Sequence, residues 1–280
     1  MIDFMGKHLS NPLIASSCIA TENVQNILRL AGNGVQGAIL KSCADYKRKN
    51  ASGKRHFAVD KKGYTYASSP FEKEILTLDE CMEIMRELRP QTDILLIPSI
   101  TASDISSAEW IPACRQLQNL GADGIQLDFF YMGILIGHEG FSEKLESMLR
   151  ELVETLDVPV MPKLNINLPR DYILPLIARA GVEYVSLLDS VRSPYFEKKD
   201  GKYCVSERLD AETTSCFGGW QLPLTLGYTY SAAKLGLNVC AGGGVTGADD
   251  IRKLLAAGAV TVQSATFLTK YPERAHELIS

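Results

Sequence analysis

Eight short apolar runs, each followed by a stretch with helical spacing, constrain this chain more than any other feature. The runs fall at residues 13–17, 37–41, 94–100, 124–129, 158–164, 184–188, 238–241 and 260–263. Many are continuously apolar, as strands buried on both faces of a parallel sheet must be. Helical patterns follow at 23–31, 77–88, 106–121, 142–156, 171–180, 220–235 and 248–257, with a last short one at 271–279. Strand–helix alternation argues for a parallel sheet. Eight such units favour closure into a (β/α)8 TIM barrel over an open sheet. The length of 280 residues suits one barrel, and no composition break or Pro/Ser linker divides it, so residues 1–280 read as a single domain. Thr77 with Glu80, and Ser106 with Glu109, have capping-box spacing, and Thr21 and Glu22 can start the first helix. Residues 1–8 read as a hairpin arm turning near Gly6-Lys7.

Two connections are too long to be simple turns. Residues 43–75 and 190–214 are polar insertions after the second and sixth strands. A connection that long in a compact domain is usually a lid or binding loop. The net charge of −4 and the absence of a long Lys/Arg run give little support to nucleic-acid or anionic-membrane binding. Lys47, Arg48, Lys49, Lys54 and Arg55 read as a solvated loop. No apolar run reaches transmembrane length, and no signal pattern opens the chain. The seven cysteines form no C-x-x-C and no zinc-finger spacing, which suggests a reducing compartment; Cys240, inside an apolar strand, reads as a buried thiol. The location expected is cytoplasmic.

In a barrel of this kind the site lies at the C-terminal ends of the strands. Those ends carry Ala15, Ser16 and Ser17; Lys41 and Ser42; Ser99; Asp128; Lys163 and Asn165; Asp189 and Ser190; Gly242, Gly243 and Gly244; Ala265 and Thr266. The glycine turn after the seventh strand, and the short turn after the eighth, match the phosphate site of many such barrels. The glycines let backbone approach a ligand without a Cβ, although GGG also suits a plain tight turn. Two lysines aimed into one mouth need an anion, an electron-rich partner, or ion pairs with Asp128 and Asp189. The carboxylates show no metal-ligand spacing, so no metal is expected.

These segments resemble the dihydroorotate dehydrogenase family of FMN-binding barrels through nearly the whole length. GKHLSNPLIASS resembles the family's opening arm and first strand end, and GAILKS its second strand with a flavin-contacting lysine. VPVMPKLNIN resembles the fifth strand, whose lysine reaches the flavin. CFGGWQLP, CAGGGVTGADDIRKLLAAGA and VQSAT resemble the phosphate-binding segments. The resemblance implies an FMN-dependent oxidoreductase. Ala15, Ser16 and Ser17 would lie along the flavin, and Lys41 and Ser42 would contact the isoalloxazine edge. Lys163 would stabilise negative charge on reduction. Gly218, Gly219, Gly243, Gly244, Ala265 and Thr266 would hold the ribityl phosphate.

The departures from the family's pattern are specific. After the fourth strand the family carries an Asn-Leu-Ser-Cys-Pro-Asn type stretch, where this chain has Asp128-Phe-Phe-Tyr131-Met-Gly133. The catalytic Cys or Ser position falls on Tyr131, and substrate-gripping Asn positions fall on Asp128, Gly133 and Asp189. Carboxylates facing an anionic pyrimidine repel it. The expected substrate is therefore something other than dihydroorotate, with Tyr131 either a replacement acid–base group or an aromatic plug beside Phe129 and Phe130. His138, in the same loop, is a weaker candidate. Three alternatives stay open: an authentic dihydroorotate dehydrogenase of pyrimidine biosynthesis; a non-redox lyase or aldolase with Lys41 or Lys163 as Schiff-base former; and a flavin-binding protein without catalysis. The expected partner is a small-molecule substrate, with a homodimer or an electron-transfer partner left open.

Overall fold

The structure is a computed structural model, and it describes residues 1–45, 56–59, 65–69, 75–129, 139–209 and 214–280. Eight parallel strands alternate with eight helices. The strands are Leu13–Ala15 (β1), Gly37–Ile39 (β2), Leu95–Ile97 with Ser99–Ile100 (together β3), Ile125–Asp128 (β4), Val160–Lys163 (β5), Tyr184–Leu187 (β6), Asn238–Ala241 (β7) and Ala259–Ser264 (β8). The helices are Val24–Gly32 (α1), Leu78–Leu88 (α2), Ser107–Asn119 (α3), Phe141–Thr155 (α4), Arg170–Arg179 (α5), Leu222–Lys234 (α6), Ala248–Ala256 (α7) and Thr266–Lys270 (α8).

The ring closes through a broken strand. Pro98 has no N–H to give, and it divides β3 in two. The first half pairs with β2 (Ile39 opposite Ile97) and the second with β4 (Ile100 opposite Leu127). The remaining pairs run β4–β5, β5–β6, β6–β7, β7–β8, β8–β1 and β1–β2, all parallel. Every barrel strand therefore has a neighbour on both sides, which is a closed (β/α)8 barrel.

Two apolar layers hold it. The larger lies between strands and helices, with Trp110, Leu13, Leu96, Leu127 and Val185 fully enclosed. The second fills the lower half of the barrel interior with Ile14, Ile39, Leu95, Ile97, Met161 and Cys240. The N-terminal hairpin, Ile2–Phe4 against Lys7–Leu9, stoppers that end with Phe4, Met5 and Leu9. Phe4 meets Tyr184 edge-on at 5.2 Å, and Met5 packs where any Cβ on Gly124 would have to sit.

Several local expectations need correction. The hairpin turns at Met5-Gly6, both with positive φ (49° and 75°), because a two-residue turn of that hand matches strand twist. The first helix starts at Asn23, whose side chain accepts from the Asn26 N–H. Thr77 and Glu80 do form the reciprocal cap. Ser106 does not, because Glu109 turns back to the N–H and hydroxyl of Ser103. The last segment, Pro272–Leu278, is 3-10 rather than α-helical.

The two long insertions join into one structure. Thr65–Ser69 pairs with His56–Val59 on one side and with Ser215–Gly218 on the other, and Val191–Arg192 extends the sheet. This antiparallel sheet grows from the C-terminal ends of β2 and β6, so it stands at the mouth. Tyr66 and Phe217 stack across it at 5.8 Å. A further hairpin, Phe196–Lys199 with Lys202–Val205, projects from the second insertion. Lys47, Arg48, Lys49, Lys54 and Arg55 lie outside the described residues.

Candidate functional site

Strand alternation aims polar side chains up the barrel. Along β4, Gln126 and Asp128 share a face; along β5, Met161 and Lys163 do; along β8, Thr261 and Gln263 do. The interior therefore changes character with height. Ile14, Ile39, Met161 and Cys240 lie low, Gln126, Ser186 and Gln263 at mid-height, and Asp128 and Lys163 at the strand ends. All of these are buried. Low in the interior, burial pushes the Cys240 thiol up to about 12, so it stays an inert SH group.

A chain of hydroxyls leads to Asp128. Ser42 donates to its Oδ2 at 2.6 Å. Ser17 and Ser99 each lie 3.0 Å from the Ser42 oxygen. Gln126 donates its Nε2 hydrogen to Ser99 at 2.8 Å. These residues come from β1, β2, β3 and β4, whose ends the barrel brings together.

Beside that chain sits a lysine paired with a carboxylate. Lys163 Nζ is 3.0 Å from Asp189 Oδ2, and Asp128 is its register neighbour on β4. Burial alone would push the ammonium towards neutrality, but the fields of Asp189 and then Asp128 outweigh it and raise the pKa above the lysine norm. Asp189 is oriented in turn, because its Oδ1 accepts from the Ser190 N–H at 2.6 Å. The expected pairing of Lys163 with a mouth carboxylate is thus present. Lys41 is half-buried at the end of β2, and its backbone N–H donates to Thr21.

The glycine turn is tight for a reason internal to the chain. Gly243 and Gly244 have φ of 96° and 87°, where L side chains are strained. A Cβ on Gly242 would enter Gln263, one on Gly243 would come 3.0 Å from the Leu188 carbonyl, and one on Gly244 would strike the start of α6 at Leu222. Glycine is required there with or without a ligand. That packing sets the start of α6, and hence the Gly218-Gly219 turn, against the β7 end. Gln221 ties the same turn down, accepting from Gly218 N–H and donating to the Asp189 carbonyl. Among the described residues, the N–H groups of Gly243, Gly244, Ala265 and Thr266 donate to no protein acceptor.

Other polar atoms in the upper barrel are enclosed. Without a partner among the described residues are Asn165 Nδ2, Ser264 Oγ, Thr101 Oγ1 and Trp220 Nε1. Ser16, in contrast, is fully committed to Gln263 Oε1 at 2.8 Å, and Gln263 Nε2 to Ser186 and to two backbone carbonyls. Ala15 is fully buried in β1 opposite Ser264.

Most sequence-expected residues thus converge. Ser17, Ser42 and Asp128 share one network; Lys163 and Asp189 form a pair; the turns after β7 and β8 are neighbours. Tyr131, Gly133 and His138 lie outside the described residues. Sequence reasoning overlooked Gln126, Gln221 and Gln263. The signal for two of them was a glutamine interrupting an apolar strand, in IQLD and in AVTVQS. No group of His, Cys, Asp and Glu among the described residues is arranged to hold a metal. No helix among them is long and apolar enough to cross a membrane. No family model matches the chain, and neither does any curated protein.

Proposed function

We propose that the chain is an FMN-binding (β/α)8 protein resembling dihydroorotate dehydrogenase, an oxidoreductase whose substrate is not dihydroorotate. The observation that carries this reading is the pair of neighbouring turns, Gly243-Gly244 and Ala265-Thr266, with four main-chain N–H groups uncommitted at one end of the barrel. Such a set suits the oxygens of a phosphate. The enclosed Asn165 Nδ2, two residues beyond Lys163 and without a partner among the described residues, supports a polar ring edge near the same mouth. FMN, when bound, supplies the hydride chemistry.

The residues themselves hold and orient. Lys163 offers a fixed cation, but Asp189 already takes much of its field. The flavin environment in this reading is therefore less positive than a lone lysine would make it. Asp128 and Asp189 are acceptors as carboxylates, where amides would both accept and donate. They favour a ligand that presents N–H or O–H groups over one that presents a carboxylate. The Schiff-base alternative is weaker for Lys163, because it needs a neutral amine and this one is held protonated.

The test is direct. Protein purified with riboflavin supplementation is expected to show a bound-flavin absorbance spectrum, and Gly243→Asp to lose it, because the turn has no room for a Cβ and a carboxylate would stand where the phosphate binds. The loaded protein should show negligible dihydroorotate oxidation with fumarate, NAD or quinone. A colourless protein that also ignores added FMN would sink the reading. Brisk dihydroorotate turnover would sink the substrate part alone.

A further inference from the structure

The hydroxyl chain at Asp128 has a direction, and the direction follows from counting protons. Ser42 has one hydroxyl proton, and its 2.6 Å contact to Asp128 Oδ2 uses it. That length falls in the range of an O–H group bound to a carboxylate anion. Ser42 Oγ is therefore the acceptor in its two other contacts, and Ser17 and Ser99 both donate to it at 3.0 Å. Gln126 donates into Ser99, which frees the Ser99 proton for Ser42. Every O–H in the cluster thus points towards one carboxylate. The branches differ at their far ends. Ser99 and Gln126 are completely enclosed, so that branch has no outlet. Ser17 is only partly buried and stands at the end of β1, on the mouth.

We infer that Asp128 exchanges protons with the mouth, and that the Ser42 and Ser17 hydroxyls are the path. In discharge the carboxyl is the donor, so the Ser42 and Ser17 hydroxyls first turn about their C–O bonds to point outward, and the protonated carboxyl then gives its proton to Ser42 Oγ. Ser42 passes its own proton to Ser17 Oγ, and Ser17 releases its own to water. Each hydroxyl gains one O–H bond and loses one, and Asp128 ends as the carboxylate. In the opposite sense the carboxylate takes up a proton from a ligand O–H, N–H or activated C–H group. Ser99 and Gln126 are positioning residues that hold the Ser42 oxygen beside Asp128. The use of this path in catalysis rests on the proposed reading of the mouth; its existence does not.

The charged surroundings are compatible with that cycle. Lys163 faces Asp128 from β5 and favours the anion, while Asp189 beyond it offsets part of that field. Lys41 precedes Ser42 in the chain. Cys43, which follows, is engaged with Cys81 of α2, and Glu109 of α3 is bound to Ser103.

Carbon-13 NMR of protein labelled at the aspartate carboxyls tests the path, with Asp128→Asn identifying the signal. In wild type, one averaged line should move with pH, because proton exchange through the serines is fast. Ser42→Ala removes the bonded donor and should raise the Asp128 ionisation by about one pH unit. Ser17→Ala touches neither carboxylate oxygen and should leave the midpoint in place. It should nevertheless split the signal near the midpoint into separate protonated and ionised lines. Ser99→Ala should keep the single line. An unmoved midpoint in Ser42→Ala would overturn the inference, as would a single averaged line in Ser17→Ala. Ser17 is partly exposed, so that variant stays informative even if Ser42→Ala fails to fold. Flavin absorbance of the same samples reports on the cofactor reading separately.

Discussion

The two ends of this barrel are built from the same strands and solve opposite problems. At the N-terminal end, a hairpin of Phe4, Met5 and Leu9 presses into an apolar interior that asks for nothing beyond shape. At the C-terminal end, the same strands present Asp128, Lys163, Asn165 and Ser264, groups that each need a partner. Some find one, as Lys163 finds Asp189; others, such as Asn165 Nδ2 and Ser264 Oγ, do not. Among the described residues, most of the unspent enclosed hydrogen-bonding capacity lies in the upper half, with Thr261 Oγ1 lower down beside Cys240.

The contrast breaks most sharply at Lys163. Lys163→Met removes the buried cation that Asp189 pairs with and that faces Asp128, and should cost about 3–5 kcal/mol in urea unfolding. Combining it with Asp189→Leu should recover a large part of that loss, since an apolar pair replaces a costly one. No recovery would mean that the pair is not what stabilises the mouth. Next comes the stopper. Phe4→Ala should cost about 3 kcal/mol through the cavity it leaves, while leaving the flavin binding proposed for the mouth unchanged. Flavin loss in that variant would show that the two ends are not independent.

The smallest effect is a matter of pH. Lys163 has a raised pKa in the folded protein, so its stabilising contribution is complete below the ordinary lysine value of 10.5. That contribution fades as pH rises above 10.5 and through the folded value. Phe4 carries no charge. The stability gap between wild type and Phe4→Ala should therefore hold constant from pH 7 to pH 11, whereas the gap between wild type and Lys163→Met should narrow at the alkaline end. Parallel denaturation curves at both pH values check this.

The barrel was legible because its signal is repeated. Eight apolar runs with period-two interiors and helical spacers leave few other folds, and a missed boundary in one unit is corrected by the other seven. The site was legible wherever it sits on a strand end, since topology alone brings Ser17, Ser42, Asp128 and Lys163 into one mouth. Two things were not. The glutamines around them, Gln126 bound to Ser99 and Gln263 bound to Ser16 and Ser186, depend on register and side-chain reach across strands, which no spacing along one strand reveals. The insertion sheet was hidden for a stronger reason. Thr65–Ser69 and Ser215–Gly218 are not neighbours in sequence, and each half alone reads as a polar loop.

That sheet has a consequence for how the molecule comes into being. Cys216 pairs with Ala67, about 150 residues away in sequence, so loop-closure entropy alone makes it a late contact. Strands β3 to β6 lie between the two partners in the chain, and they have few reasons to wait. On the ribosome, the first insertion emerges able to pair only within itself, His56–Val59 with Thr65–Ser69, until most of the barrel has been synthesised. Refolding should therefore be sequential, with helical signal from the local β/α units returning first, and the Tyr66–Phe217 stack returning late, as the closing of β8 on β1 does.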